Sequence, residues 1–507
     1  MLLIRFRPPN VGARRLVISI SWVGTMKYIM KLLAVGSVAV LVSGCAATLS
    51  PDGAFQDVAS IVQERTGKDI EWDSGSEEDQ RVRSHIDHLL TRPLTASRAV
   101  QVALLNNRDL QASYASLGVA QADLVQAGLL TNPVVDGSFL WPYRPEIGAV
   151  QTATGIIFNF IELFWKRYKL AVAESALEEV KYQVSGMVID HAAKTNLAFI
   201  DYVATRQQIE LFRKVVQSAR AGVTSAKAVR QAGNSTPLDF EQQQNVLTQA
   251  KLDLANAEAA AASTRERLNV AMGLSGRQTK IWRAPARLQT TKGSTSLFDK
   301  IETIAVERSI ELAALRQKII TLGYKHKLTS KQSLIPDIGI GVELETTKSE
   351  GEAREYEAGP IFDVTLPLFD QGQAKRARGI MEIRQAQDAY WAMGVRVRSA
   401  ARLARAELLT AHKAVKYYER AILPQQARLL LATTQQYNAM QEDVFRLIRA
   451  KREQIQAGRG YIDSLRSYWR ARSNYQQLRS GRLPDGSGGP VMVAAADGGG
   501  GNEGGPH

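Results

Sequence analysis

The chain has 507 residues, 64 lysines and arginines against 50 aspartates and glutamates, a net charge of +14 and one cysteine. A single cysteine excludes an intrachain disulfide framework and a multi-cysteine metal site. The basic residues are scattered along helical faces rather than clustered with aromatics, which reads as a solvated basic surface and excludes nucleic acid as the expected partner.

The N-terminal part carries a targeting pattern. Residues 1–25 fit no signal sequence, and Met26 is the better start. From there Lys27 and Lys31 give a positive region, and Leu32 to Val42 an apolar run too short to span a bilayer. Val42, Ser43 and Gly44 then place small residues just before Cys45. The pattern resembles a bacterial lipobox, in which the signal is cut before the cysteine and the sulfur is lipidated. Residues 1–44 are thus expected to be removed, and Ala46 after Cys45 implies sorting to the outer membrane. The roughly 460 residues that follow suffice for two or three domains. None of their segments has the ~18 consecutive apolar residues of a membrane helix.

Residues 45–93 read as an N-terminal periplasmic segment, with a short helix and an acidic loop between Phe55 and Gln80. His85 and His88, in "SHIDH", have metal-ligand spacing, but one Asp and no Cys stand between them, so an exposed helical face is expected. His191, near Val184 and Met187, reads as a packed histidine. No metal site, no cofactor and no catalytic set is expected, so the chain is not read as an enzyme.

Two halves of the remainder repeat each other. "ALLNNRDLQA" (Ala103 to Ala112) matches "AVERSIELAA" (Ala305 to Ala314), with Leu110 opposite Leu312. Pro133 and Pro336 follow at nearly the same distance, and "IELF" (Ile161 to Phe164) matches "LPLF" (Leu366 to Phe369). The units are 94–290 and 297–480, each reading helix, strand, strand, very long helix, turn, helix. Residues 483–507 form a Gly-rich, aperiodic tail, expected to be disordered.

Period-2 alternation marks the strands. Phe139, Trp141 and Tyr143 share one face, as do Ile156, Phe158 and Phe160. The second copy offers Ile338, Ile340, Val342 and Leu344, then Phe362, Val364 and Leu366. Four such strands fit a soluble sheet, but at about ten residues each, half of them with aromatic faces, they also suit a bilayer, with Phe139, Trp141, Tyr143, Phe158 and Phe160 the lipid-facing candidates.

The helices are long. From Phe164 to Gly233 there is no proline, and ~65 residues span on the order of 100 Å. Such a helix needs neighbours. Leu247, Leu254, Ala261 and Leu268, with Ala250, Ala257, Thr264 and Ala271 alongside, give a coiled-coil seam with one small side. Ile448, Ile455, Ile462 and Trp469 repeat at the same spacing, their larger size suggesting a different neighbour. Pro424 should kink the second long helix or end a section of it.

At the first helix tip, Gly233 is followed by Ser235, Thr236 and Pro237, good helix-start chemistry, and by Asp239 in the first turn. The second tip, "YNAMQEDVFRL", has Met440 where the first has Gly233. Its Glu442 and Asp443 are candidates for an acidic gate ring.

An apolar strand face in a bilayer requires a closed barrel. Four strands cannot close one, since the smallest have about eight. Several chains must therefore share a barrel, with long helices leaving one end as a tube. The helix start "LTASRAVQVALLNNRDLQAS", the strand-to-helix "LPLFDQGQAKRARG", the tip "GNSTPLDFEQQQ" and the closing "LNVAMGL" together resemble the TolC-like outer-membrane efflux protein family, lipoprotein type, over residues 94–480. The resemblance implies a mostly α protomer with a small membrane β part. It implies a homotrimer with a shared 12-stranded β-barrel and a periplasmic α-helical tunnel. It also implies a periplasmic adaptor protein and an inner-membrane pump as partners, and contact with outer-membrane lipid. "IELFWKRYK" departs from the family's usual proline and glycine; Glu162 and Lys166 there resemble metal-efflux members. A lipid-anchored periplasmic adaptor is the alternative, but it would carry one helical hairpin rather than a duplicated helix–strand–strand–helix unit.

Overall fold

The computed structural model describes residues 51–73, 75, 77–141, 149–291, 300–335, 338–349 and 353–484. The lipobox with Cys45, Tyr143, Pro336 and tail residues 485–507 lie outside the described residues.

Two short helices lead in: α1 (Pro51–Thr66) and α2 (Glu77–Thr91). The first repeat then runs α3 (Ala96–Asn106), α4 (Arg108–Gly128), β1 (Val134–Leu140), β2 (Val150–Asn159), α5 (Ile161–Gln231) and α6 (Pro237–Ala271). A short α7 (Gln278–Ile281) follows. The second repeat runs α8 (Ile301–Arg308), α9 (Ile310–Gln332), β3 (Ile338–Lys348), β4 (Glu355–Val364) and α10 (Gln373–Tyr417). It continues through a π-helical turn (Tyr418–Ile422) into α11 (Leu423–Asn438) and closes with α12 (Val444–Arg479). The protomer is mostly helical, with one small antiparallel sheet.

The repeat is visible at single residues. Asn107 caps α4, its side-chain oxygen accepting from Asp109 N–H at 2.9 Å and Leu110 N–H at 3.3 Å. Ser309, at the matching position, caps α9 by accepting from Leu312 N–H at 3.2 Å. Both side chains satisfy donors that a helix start leaves unpaired.

Helix α5 has 71 residues, about 105 Å at ~1.5 Å per residue. It starts at Ile161, earlier than the sequence suggests, because the first copy lacks a proline–glycine break after β2. In the second copy the chain leaves β4, passes a left-handed Gly372 (φ +70°) and enters α10 only at Gln373.

The seam on α6 packs against α5. Ala250, Ala257, Ala261, Leu268 and Ala271 are buried, and Val216, Ala219 and Ala250 form a small core with Leu247 and Leu254 at its edge. On α12 the buried stripe is Ala450, Ala457, Ile462, Leu465, Tyr468, Ala471 and Tyr475, so Ile448, Ile455 and Trp469 lie at its margin. This helix has two kinds of neighbour. Apolar residues meet α10 at Val397, Ala401, Ala404 and Leu408. Toward α5 the contacts are polar: Asn196 to Ser473 and Gln208 to Asp463, each 2.9 Å, and Asp201 to Arg466 (2.8 Å) and Arg470 (2.6 Å).

Pro424 neither ends the helix nor leaves a gap. The π-helical turn just before it absorbs the missing N–H, and α11 continues from Leu423. The turn packs where the partner helix has no side chain: a Cβ on Gly460 would collide with the Tyr418 hydroxyl.

Candidate functional site

The sheet order is β1-β2-β3-β4, every neighbour antiparallel. The two hairpins are therefore joined across the repeats by β2 and β3, with Phe158 opposite Ile340 and Ile156 opposite Val342. Directly paired residues of an antiparallel sheet share a face, so the register sorts every strand position.

One face is apolar. It carries Val135 and Phe139; Ile156 and Phe158; Ile340, Val342 and Leu344; and Tyr356, Phe362 and Val364. These side chains are exposed, Phe139 at 70% and Val342 at 63%. The other face carries Asp136, Glu343, Glu345, Glu355, Glu357 and Asp363 and no lysine or arginine among its described residues. Glu345 stands directly opposite Glu357, a like-charge pairing that costs stability unless solvent or a cation intervenes. The alternating strand positions held this pattern in the sequence, but only the register aligns the carboxylates across strands.

Three strand candidates need relocation. Trp141 (77% exposed) follows the last β1 residue. Phe160 is not in β2: the strand ends at Asn159, and Phe160 takes helical dihedrals as the residue before α5. It stays exposed and stacks near Phe158 at 6.2 Å between centroids. Leu366 likewise falls after β4 ends at Val364. At this corner Glu162 pairs with Lys169 at 2.9 Å, not with Lys166.

The opposite ends of the long helices make two tips. At the first, Gly233 (φ +77°) closes α5: its N–H bonds Arg230 O, and Asn234 N–H bonds Val229 O. Thr236 then caps α6 in a capping box, its hydroxyl accepting from Asp239 N–H and Asp239 Oδ2 accepting from Thr236 N–H at 2.9 Å. Pro237 sits in the first turn, and the Ser235 hydroxyl donates to Thr236 O. At the second tip Met440 (φ +58°) does what Gly233 does, with Met440 N–H on Tyr437 O and Gln441 N–H on Gln436 O. Asp443 is the α12 cap, Oδ1 accepting from Arg446 N–H at 2.8 Å, and Glu442 pairs with the Arg446 guanidinium. The two acidic candidates are thus adjacent, and each already has a partner within its own turn.

His85 and His88 are exposed on α2, and no cluster of three metal-binding side chains occurs among the described residues. His191 is packed: Nε2 lies 2.8 Å from Ala271 O at the end of α6, and burial lowers its pKa. No described helix is long and apolar enough to cross a membrane.

No protein-family model matches the sequence. Over 395 residues the chain is 23% identical to the cobalt-zinc-cadmium resistance protein CzcC of Cupriavidus metallidurans, covering 76% of this chain and 90% of that one. The Campylobacter jejuni CmeC outer membrane channel superposes with a TM-score of 0.62 at 14% identity, over 77% of this chain and 86% of that one. The outer membrane protein VceC of Vibrio cholerae superposes with a TM-score of 0.61 at 13% identity, over 80% and 98%. With its duplicated hairpins, paired long helices and four-stranded sheet, this chain has the fold of the TolC-like outer-membrane channels.

Proposed function

We propose that the chain is the channel subunit of a tripartite efflux system, passing substrate unaltered across the outer membrane. The observation that carries this is the sheet. Four strands with one apolar, exposed face and one carboxylate-bearing face cannot satisfy their edges alone. Three copies would give twelve strands, enough to close, with the aromatics toward lipid and the carboxylates toward the lumen. The long helices would continue that barrel as a periplasmic tunnel, whose tips meet an adaptor and an inner-membrane pump. Cys45, where lipidated, adds a second attachment to the membrane. A lipid-anchored adaptor fits the duplicated hairpins and shared sheet less well.

The cargo follows from the lumenal face. Asp136, Glu343, Glu345, Glu357 and Asp363 in each copy would concentrate cations, and the similar CzcC carries cobalt, zinc and cadmium in its name. Divalent metal cations are the substrate class. Glu442 and Asp443 would add an acidic edge at the tunnel mouth, with Arg446 offsetting Glu442.

Detergent-extracted protein tests the reading. A heat-stable trimer that conducts ions in planar bilayers is expected, with reversal potentials favouring cations. A monomer without conductance refutes the channel. E345Q/E357Q should lower cation selectivity, and unchanged reversal potentials would remove the lumenal assignment while leaving the channel intact.

A further inference from the structure

Where α3, α5 and α12 converge, with the end of α1 and the segment 285–289, lies a half-open cavity of about 710 Å³. Its floor is apolar: Ile189, Ala192, Phe199, Ile200 and Val203 of α5 are all buried. Its wall holds Arg65, Lys68, Arg287, Arg308, Arg472 and Arg479, and no carboxylate among the lining residues. The carboxylates near these cations stand outside the lining: Glu64 lies 3.7 Å from Arg308 and also acts on Arg65, Glu210 lies 3.1 Å from Arg287, and Asp69 acts on Lys68.

The cations are crowded as well as numerous. Arg65 gives its Nη1 to the main-chain oxygen of Arg308 at 2.6 Å, which ties the two basic residues to one another. The Arg65 Nε is buried without a hydrogen-bond partner among the described residues. Burial lowers the pKa of Arg65 against the opposing Glu64, and the neighbouring Arg308 adds to the lowering; burial also lowers that of Lys68, against the opposing Asp69. A buried donor without an acceptor and like charges crowded on one wall both cost free energy. A bound anion relieves both. The polar side chains beside the floor are engaged elsewhere: Asn196 donates to Ser473 and Gln477 donates to Asp190.

We propose that this cleft binds an acid-headed amphiphile, a carboxylate or phosphate carrying one apolar chain, with the head at Arg65 and Arg308 and the chain over Phe199 and Val203. The volume lies in the range of ordinary ligand pockets of about 300–1,000 Å³. An inorganic anion would leave the apolar floor wet, and a neutral alkyl compound would leave the cations unpaired. The cleft lies at a junction of helices and shares no residue with the carboxylate face of the sheet.

The full chain in neutral maltoside micelles tests the proposal by calorimetry with octanoate, octyl phosphate, octanol and inorganic phosphate. Octanoate and octyl phosphate should bind saturably, at one per chain, and at least tenfold more tightly than octanol or inorganic phosphate. R65Q/R308Q should weaken both acids at least tenfold. A193F, which fills the cleft without changing a charge, should abolish binding while conductance and thermal stability stay intact, separating occupancy from folding. Lipid extraction of the purified protein then distinguishes a single-chain lysophospholipid from a free fatty acid as the natural source. Equal binding of octanol, unchanged affinity in both variants, or no saturable heat because a neighbouring copy covers the cleft would each overturn the proposal.

Discussion

Met440 and Gly233 hold the same left-handed backbone conformation, at φ +58° and +77°, each at the end of a long helical run and each closing it with the same pair of hydrogen bonds. Glycine adopts this conformation freely, whereas a side chain costs roughly 1–2 kcal/mol there. Met440 is 95% exposed and recovers nothing by packing. M440G should therefore stabilise the second tip by about 1 kcal/mol, less what the freer unfolded chain takes back. Slower amide exchange in the last turn of α11 is the readout. Faster exchange would mean that Met440 makes a contact in the assembled channel that the isolated chain lacks.

Asp443 combines a cap and a charge, and substitutions separate them. D443N keeps a good cap acceptor for Arg446 N–H but removes the charge. D443A removes both and should cost about 1 kcal/mol of local stability. If the charge matters for conduction, D443N alone should shift cation selectivity without loosening α12. If selectivity changes only in D443A, the residue is a cap and nothing more.

Gly341 lies where β3 crosses β2. A Cβ there would collide with the Ile156 carbonyl oxygen and crowd Ile361. This pairing joins the two repeats, so G341V should open the sheet at its centre. Loss of the heat-stable assembly on gels, with helical content by circular dichroism largely retained, is the expected result. A fully assembled G341V protein would show that the strands can part there without consequence.

His191 makes stability depend on pH. Burial first, and then Lys194, lower its pKa below the ordinary 6.5, outweighing the Ala271 carbonyl and Asp109, which act the other way. The folded state thus prefers the neutral ring. Stability is full above pH 6.5 and falls as the pH drops toward the lowered value, because the unfolded chain binds the proton more readily. His412 shifts in the same direction, through burial first and then Lys416, against the opposing Glu419, and adds to the effect. H191Q keeps a donor for Ala271 O, and its melting temperature should fall less than that of the wild type between pH 7 and 5. Identical pH profiles would assign the dependence to His412 or to carboxylates.

Much of the fold could be read before any coordinates. The matching decapeptides aligned Asn107 with Ser309, and both prove to be helix caps, because a cap is local chemistry carried by one side chain and the next turn. Thr236, Pro237 and Asp239 were legible for the same reason. Strand ends were not: Phe160 and Leu366 continue the alternation, yet the chain leaves the sheet before each. A two-residue period says which face a side chain takes while the strand lasts, but where the strand stops depends on its partner's hydrogen bonds.

The sequence alone determined the repeat, the length of the helices and the alternation that makes each strand apolar on one side, since all of these are periodicities along one chain. Tertiary structure decided what periodicity cannot hold. It paired β2 with β3 across the repeats and set Glu345 against Glu357, because register is a relation between distant segments. It carried the second long helix past Pro424 on a π-helical turn fitted against Gly460. It also gathered cations from four separate segments around one apolar floor, which no stretch of the sequence displays, because their proximity is created only when α3, α5 and α12 pack.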